Sequence, residues 1–498
     1  MPKSNAKYIL IGIFLLTLFV RLYLVFQHPY YSDDTAYFHV RQVDVIRETG
    51  LPLYQDDLSY GGRTYVFMPL FHYILAFFSS IMPTLVVGKL IPNICASLLV
   101  FIIFYITKNM TKNEDIALIT AFLSGFIPVY FVQTINTLSI HSITVPLTFL
   151  LFYFIMNLDN KTIKLYIFLF IFFIATHPSI FLFIFSFIMY FVIVKTEKLK
   201  VRKGELELLF FSLIVVIWFY LLVFKKAFLS HGYSLIFQNI PNILLTEYFK
   251  QVSITEALYL IGFIPFIAGV WMIYHTVFSD KNRESFLLIS FVIVITVSLW
   301  FKLIELQLGL MYLGVALAVL FGKACSLFVE YLNKTKAVRY KHLMYIVIIA
   351  VLISTSVIPS IRLAMDNINH ATSKNIISGL SFAKEFSENS ESRIISDIQS
   401  GHTITYFSSK KNLIDNNFLL IRDINEITTD LNAIFTTQST TIGTGLLNKY
   451  NAEFVLLTEN AKNTYKIQEL PMYTSTCFER ITFGEVILYR NLCRVVKS

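Results

Sequence analysis

Charge and cysteine are both scarce in this chain. Of its 498 residues, 15% are Asp, Glu, Lys or Arg, and four are cysteine. The cysteines show no zinc-binding spacing, and the sequence has no glycine-rich nucleotide loop, internal repeat or low-complexity tract. No small-residue cleavage site follows the first apolar run, residues 8–26, which excludes a removed signal peptide and leaves a retained signal anchor. Hydrophobic residues make up 56% of the chain, with 48 Phe and a mean hydropathy of +0.64. These values exclude a soluble globule of this size and mark a polytopic helical membrane protein.

Apolar runs long enough to cross a bilayer fall near 8–26, 85–107, 115–132, 140–157, 163–176, 179–195, 206–224, 257–278, 285–301, 304–327 and 342–362. A further run, 66–83, either spans or lies along the interface. Charge decides. If 66–83 does not cross, the segments on the N-terminal side hold 17 Lys and Arg, against 7 in the opposite short loops. That is the positive-inside pattern, anchored by "KTEKLKVRKGE" and "NKTKAVRYKH". The expectation is therefore about eleven transmembrane helices plus an interfacial helix, with the N-terminus cytoplasmic. Residues 27–84 form a large first external loop, 225–256 form another, and the C-terminal part is extracytoplasmic. The net charge of +9 is mostly an orientation signal with some attraction to membrane lipid. Its dispersal over loops does not point to nucleic acid. The three glycosylation sequons, at Asn109, Asn160 and Asn333, all fall in loops placed inside.

The texture changes from about residue 365. "SRIISDIQSGHTITYFSSKKNLIDNNFLLI" and "AEFVLLTE…FGEVILYRNL" read as short β-branched strands, and "SKNIISGLSFAKEFSEN" has helical spacing. The expected division is a transmembrane domain over 1–364 and an extracytoplasmic α/β domain over 365–498. Cys95 and Cys325 fall in spans as packing residues. Cys477 and Cys493 share the outer domain, where an oxidising face leaves a disulfide open.

Chemistry concentrates just after the first span, in "HPYYSDDTAYFHVRQVDVIRETG". Asp33, Asp34, His39 and Arg41 lie within nine residues, followed by Asp56, Asp57 and Arg63. Carboxylates with nearby cations suit a metal-phosphate substrate whose apolar tail lies in the bilayer. The bland alternative is a solvated acidic loop. Arg21 is an intramembrane cation that should face protein or water.

The anchor, the "YYSDDTAYFHVRQVDVIRETG" run and the proline-led "MPLFHYILAFF" together resemble the start of a GT-C superfamily membrane glycosyltransferase. The strongest likeness is to the oligosaccharyltransferase catalytic-subunit family. The resemblance implies a polyprenyl (dolichyl) phosphate-linked sugar as donor and a protein or glycan acceptor. It also implies a catalytic, metal-binding carboxylate at Asp33 or Asp34, with Asp34 better spaced to Tyr37, His39 and Arg41. "SITE", residues 253–256, is similar to the family's external-loop element, which makes Glu256 an acceptor contact and metal neighbour. Ser253 or Thr255 as a helix N-cap fits the same residues. Asp397, Gly401, Ile404 and Asp415-Asn416-Asn417 resemble the acceptor-reading segment, without its two tryptophans and tyrosine. That leaves Asp397 either an acceptor contact or a turn residue.

Two further departures shape the expected chemistry. The second external loop, "VQTINTLSIHSITV", has no carboxylate, so His141 stands in as metal ligand or phosphate contact. The family's phosphate-binding arginine is missing, and "WFKLIELQLGLMYLG" offers Lys302, Glu305 and Gln307. His177 and Arg41 complete the expected donor-binding set. Mg²⁺ or Mn²⁺ is implied, while the missing carboxylates leave metal-independent transfer open, with Asp34 as general base. The expected function is transfer of a sugar or glycan to an acceptor on the extracytoplasmic face of the plasma membrane. Oligosaccharyltransferase-type N-glycosylation from a diphosphate carrier and an inactive scaffold binding lipid-linked sugar are the alternatives. A reporter fused after residue 200 is expected on the cytoplasmic side, and its appearance outside would invert the assignment.

Overall fold

The computed structural model describes residues 3–241, 244–245, 253–387 and 391–493. Helix α1 (Lys3–Val25) leads into a segment holding α2 (Thr35–Thr49), a hairpin of β1 (Gln55–Asp56) and β2 (Arg63–Thr64), two residues each, and α3 (Leu70–Ser79). The bundle continues with α4 (Thr84–Ser97), α5 (Leu99–Thr111), α6 (Glu114–Gly125), α7 (Pro128–Thr134), α8 (His141–Met156), α9 (Asn160–Ile174), α10 (Ile180–Thr196) and α11 (Lys203–His231). It closes with α12 (Ile254–Ile261), α13 (Phe263–Phe278), α14 (Arg283–Trp300), α15 (Leu306–Asn333), α16 (Lys341–Leu352) and α17 (Ile358–Asn369). The last helix thus runs past residue 365 before the outer domain begins.

Every expected span coincides with a helix or a bent pair. Among the described residues, six helical stretches are long and apolar enough to cross, or up to eight if α6–α7 (bent 47°) and α12–α13 (bent 100°) each count as one span. Helices α8, α9 and α10 have 16, 15 and 17 residues. They fall just short of the roughly 20 residues a full hydrocarbon core requires. Helix α3 has ten residues and rises about 15 Å, half of a crossing. It lies with Phe71, His72, Leu75 and Ala76 buried against protein and Phe77 exposed.

Helix α15 runs through the centre of the bundle, where small residues allow close approach. A Cβ on Gly322 would sit 2.5 Å from Thr120 Oγ1 and 2.8 Å from Thr107 Cγ2, so this contact requires glycine. Arg21 faces protein, as an intramembrane cation must. Fully buried, it donates to Asn93 Oδ1 at 3.2 Å and Thr134 Oγ1 at 3.0 Å, over the ring of Phe131.

The outer domain holds a five-stranded mixed sheet in the order β4-β3-β5-β7-β6. Its strands are β3 (Arg393–Ile395), β4 (Lys411–Asn412), β5 (Ala452–Leu457), β6 (Phe478–Phe483) and β7 (Val486–Asn491). Strand β3 is parallel to β4 and β5, while β7 is antiparallel to β5 and β6. Helices α18 (Lys374–Phe386) and α19 (Gly401–Ser408) cover one face. Helices α20 (Ile424–Thr436), α21 (Thr440–Lys449) and α22 (Glu459–Tyr465) cover the other. Fully buried β5 is the centre of both cores.

One strand expectation fails here. "GHTITYFS" is helix α19 despite its β-branched Thr403, Ile404 and Thr405. The helix buries Ile404, and the hydroxyls of Thr405 and Ser408 donate back to His402 O and Ile404 O. Tertiary contacts described below supply the rest of its stability.

Cys477 and Cys493 form a disulfide that closes a 16-residue separation around the β6–β7 hairpin, and Cys95 and Cys325 are free thiols. A loop of that length is expected to contribute about 3 kcal/mol. Replacing both cysteines by serine should lower the thermal midpoint of the full chain, whereas an unchanged midpoint would show that strand pairing alone holds the hairpin.

Candidate active site

The outer ends of α8, α10 and α15, the loop after α1, and α19 of the outer domain meet at one polar centre. The two adjacent carboxylates that enter it have different fates. Asp34 is buried, and both of its oxygens are claimed by the N-terminus of α19. The backbone N–H of His402 donates to Oδ2 at 3.0 Å, while the N–H and hydroxyl of Thr403 donate to Oδ1 at 2.7 and 2.6 Å. This is a helix cap supplied from 368 residues away in sequence, with charge, dipole and hydrogen bonds aligned. Gly401 makes it feasible, because a Cβ there would meet the Ile414 carbonyl oxygen at 2.2 Å.

Asp33 is half-buried and accepts a hydrogen bond from the Thr35 backbone N–H at 3.2 Å. Burial raises its carboxyl above the usual range, with Thr35 opposing. Burial also raises Asp34 well above that range, opposed by its three donors. Glu305, the exposed residue before α15, is raised by protein packed around its carboxyl and then by the Asp33 charge. The two carboxyls therefore share one electrostatic neighbourhood.

Five of the ten histidines feel one another's charge in a second group, tied to Asp34 through His402. His39 Nδ1 is 2.8 Å from His72 Nε2. The imidazoles of His141 and His177 meet edge to face with centroids 4.9 Å apart. Burial first, then the charges of His72, His402, His141 and His177, hold His39 well below its ordinary value. Burial likewise lowers His402 and His177, and pushes His72 down to about 3. The His39, His72 and His177 rings are neutral near pH 7 and act as hydrogen-bonding groups. His177 Nδ1 accepts the Ser179 N–H at 3.1 Å, which leaves the proton on Nε2 as a donor. Tyr312 braces this corner by donating to Ser179 Oγ at 3.1 Å, while His141 Nδ1 pairs with Thr144 Oγ1 at 3.2 Å.

The other expected residues do not reach this centre. Arg41 is locked by a two-pronged ion pair on Asp56, at 2.9 and 2.8 Å, so its guanidinium has its partner already. Asp397 turns into its own domain, where its Oδ1 accepts from the hydroxyls of Ser396, Ser400 and Thr458. Lys302 is exposed at the tip of the α14–α15 turn, with a positive φ of 54°. Glu256 is exposed in the first turn of α12, and Ser253 Oγ caps its backbone N–H at 3.2 Å, as the N-cap alternative expects. Residues 242–243 and 246–252 of the same external segment lie outside the described residues.

The Asp415-Asn416-Asn417 run is also engaged structurally. Asp415 is fully buried and accepts from Ser59 Oγ at 2.6 Å, with Arg63 at 3.6 Å and His402 Nε2 at 3.7 Å. Burial alone would raise Asp415, but His402 and Arg63 outweigh it and hold the carboxyl below its ordinary value. Asn416 donates to Thr35 Oγ1 at 2.8 Å. Two groups not singled out from sequence belong to the centre: His72 and His402. His72 carried a signal, as a polar residue within the apolar "MPLFHYILAFF" run.

Among the described residues, no group of three or more His, Cys, Asp or Glu side chains is arranged to hold a metal ion. With Asp34 spent on α19, the residues present do not make a cation's ligand shell, which favours hard oxygen donors. What they offer is the half-buried Asp33 carboxylate, bonded to Thr35 of its own turn, together with a cluster of imidazoles.

No protein-family model matches the sequence, and no curated protein does. Solved structures do. The Archaeoglobus fulgidus oligosaccharyltransferase in its apo form superposes with a TM-score of 0.69 at 13% identity, covering 97% of this chain and 74% of that one. ArnT from Cupriavidus metallidurans bound to undecaprenyl phosphate gives 0.55 at 10% identity, covering 99% and 100%. The arabinofuranosyltransferase AftD from Mycobacteria gives 0.55 at 10% identity, covering 96% and 40%. At such identities the likeness is one of architecture: the chain has the GT-C-like fold of polytopic membrane glycosyltransferases.

Proposed function

We propose that the chain transfers a sugar from a polyprenyl monophosphate carrier to an acceptor on the outer side of the membrane, with Asp33 as its catalytic carboxylate. The observation that carries this reading is the division of labour between neighbours. Asp34 is consumed by the cap on α19, while among the described residues Asp33 is bonded only within its own turn, to Thr35. Asp33 takes the role that spacing gave to Asp34.

In the proposed step, Asp33 accepts the proton of the acceptor's nucleophile as that atom attacks the sugar's anomeric carbon. The carbon–oxygen bond to phosphate breaks, and the leaving lipid phosphate keeps the electron pair. His177, through its Nε2–H, and His141 donate to that developing charge. A single displacement inverts the anomeric centre. Mg²⁺ or Mn²⁺ enters no step of this scheme.

The neighbours support a polyprenyl phosphate ligand. ArnT was solved with undecaprenyl phosphate, and the Archaeoglobus enzyme with a dolichol-phosphate and an inhibitory peptide. A second structure of the Archaeoglobus enzyme contains zinc and sulfate. Oligosaccharyltransferase-type transfer to a peptide is less well supported, because Asp397 points into its own domain and the tryptophan pair is missing.

Purified protein supplied with radiolabelled polyprenyl-phosphate and polyprenyl-diphosphate sugars, with and without Mn²⁺, tests the scheme. Asp33→Asn should cut turnover by about 10²–10⁴-fold at an unchanged thermal midpoint. Asp34→Asn should instead lower the midpoint, since a buried cap loses about 1–3 kcal/mol. Wild-type turnover that survives Asp33→Asn would sink the assignment, and no turnover with either donor would favour the inactive scaffold. Because Asp33 must be ionised and its carboxyl is raised, kcat/KM should fall on acidification at a pH above the ordinary carboxylate range of about 4. The depressed imidazoles should add no limb near pH 6.5.

A further inference from the structure

Away from the Asp33 centre, the outer end of α11 borders a recess of about 440 Å³ lined by Lys226, Leu229, Ser230, His231 and Arg422. Three elements build it. Helix α11 contributes four of these residues, and Arg422 comes from the outer domain just before α20. The β1–β2 hairpin touches it through Thr64, whose Oγ1 lies 3.4 Å from Lys226 Nζ. The outer domain is pinned here, because His231 Nε2 accepts the Leu420 backbone N–H at 2.9 Å. That bond fixes the imidazole proton on Nδ1 and leaves it as a donor.

The lining contains two cations, a hydroxyl and an imidazole, and no carboxylate. Neither Lys226 nor Arg422 forms an ion pair with a described residue, and the acid next in sequence, Asp423, is not part of the lining. Below the recess, Trp218 and Leu222 on the same face of α11 are 63% and 57% exposed, and Leu229 in the lining is 74% exposed. Exposed Lys225 stands between Leu222 and Leu229 on this face, adding a cation at the head of the apolar stripe. A cationic recess on top of an exposed apolar stripe, at the end of a membrane span, matches an amphiphile with a phosphate head and hydrocarbon chains.

The geometry points to a binding site for the headgroup of a net-anionic phospholipid of the outer leaflet, its chains lying along Trp218, Leu222 and Leu229. Bound there, the lipid joins α11 to the hairpin and the outer domain, and it does not take part in sugar transfer. The inference stands whether or not the proposed activity does.

Native mass spectrometry of the detergent-purified full chain tests it, with dioleoyl phosphatidylglycerol, dioleoyl phosphatidylcholine and inorganic phosphate as probes. The wild type should retain the glycerol lipid in preference to the choline lipid, which shares its chains and phosphate but has no net charge. Lys226→Ala with Arg422→Ala should weaken the glycerol lipid by about 25-fold, roughly fivefold per lost cation. Lys226→Arg with Arg422→Lys should keep the preference, and matched thermal midpoints will show that all variants are folded. Equal retention of the two lipids, or an unchanged preference in the alanine variant, overturns the site. Displacement of the glycerol lipid by equimolar inorganic phosphate overturns the lipid assignment in favour of a free anion.

Discussion

The carboxylate of Asp34 at the N-terminus of α19 is the contact around which the outer half of this protein is organised. It joins a loop fixed to the first membrane helix to a helix of the outer domain. A buried carboxylate is costly unless donors surround it, and the first turn of a helix presents unpaired N–H groups that need an acceptor. Each satisfies the other. The Asp415 knot repeats this logic in reverse, with the outer domain supplying the carboxylate and the hairpin supplying Ser59 and Arg63. Between these two clamps the His402 ring is held with its Nε2 toward Asn416 Oδ1 at 3.1 Å.

This clamping has a consequence for chemistry. A group placed within a polar centre acts as a base only if its lone pairs are not already occupied. Asp34 is occupied, and so are Arg41 on Asp56 and Asp397 on three hydroxyls. The groups left for a substrate are Asp33, Glu305 and the imidazoles. Burial keeps those rings neutral and raises Asp33, which suits the proton transfer and phosphate hydrogen bonding proposed above. Preorganisation comes from outside the centre, through Tyr312, Thr144 and Ser179.

The architecture was largely legible from residue order. Every apolar run falls on one helix or on two consecutive helices, and α3, within 66–83, is only ten residues long. Helix α18 and strands β5 and β7 fall where their periodicity places them. The failure at α19 is instructive, because Thr403, Ile404 and Thr405 favour strand locally. The carboxylate that caps this helix is nearly the whole chain away, beyond the reach of any local pattern. His402 was missed for a related reason, since an isolated histidine has no spacing to mark it, whereas His72 was marked only by its polarity within an apolar run.

The sequence by itself determined that this is a polytopic membrane protein with an α/β appendage, because hydrophobic run length and strand periodicity are local properties. It also marked the acidic loop after the first span as chemically unusual. Which of two adjacent aspartates remains available was decided by tertiary structure alone. Asp33 and Asp34 are the same residue type in the same loop, and what separates them is the direction of each side chain relative to a helix end that folding brings to them.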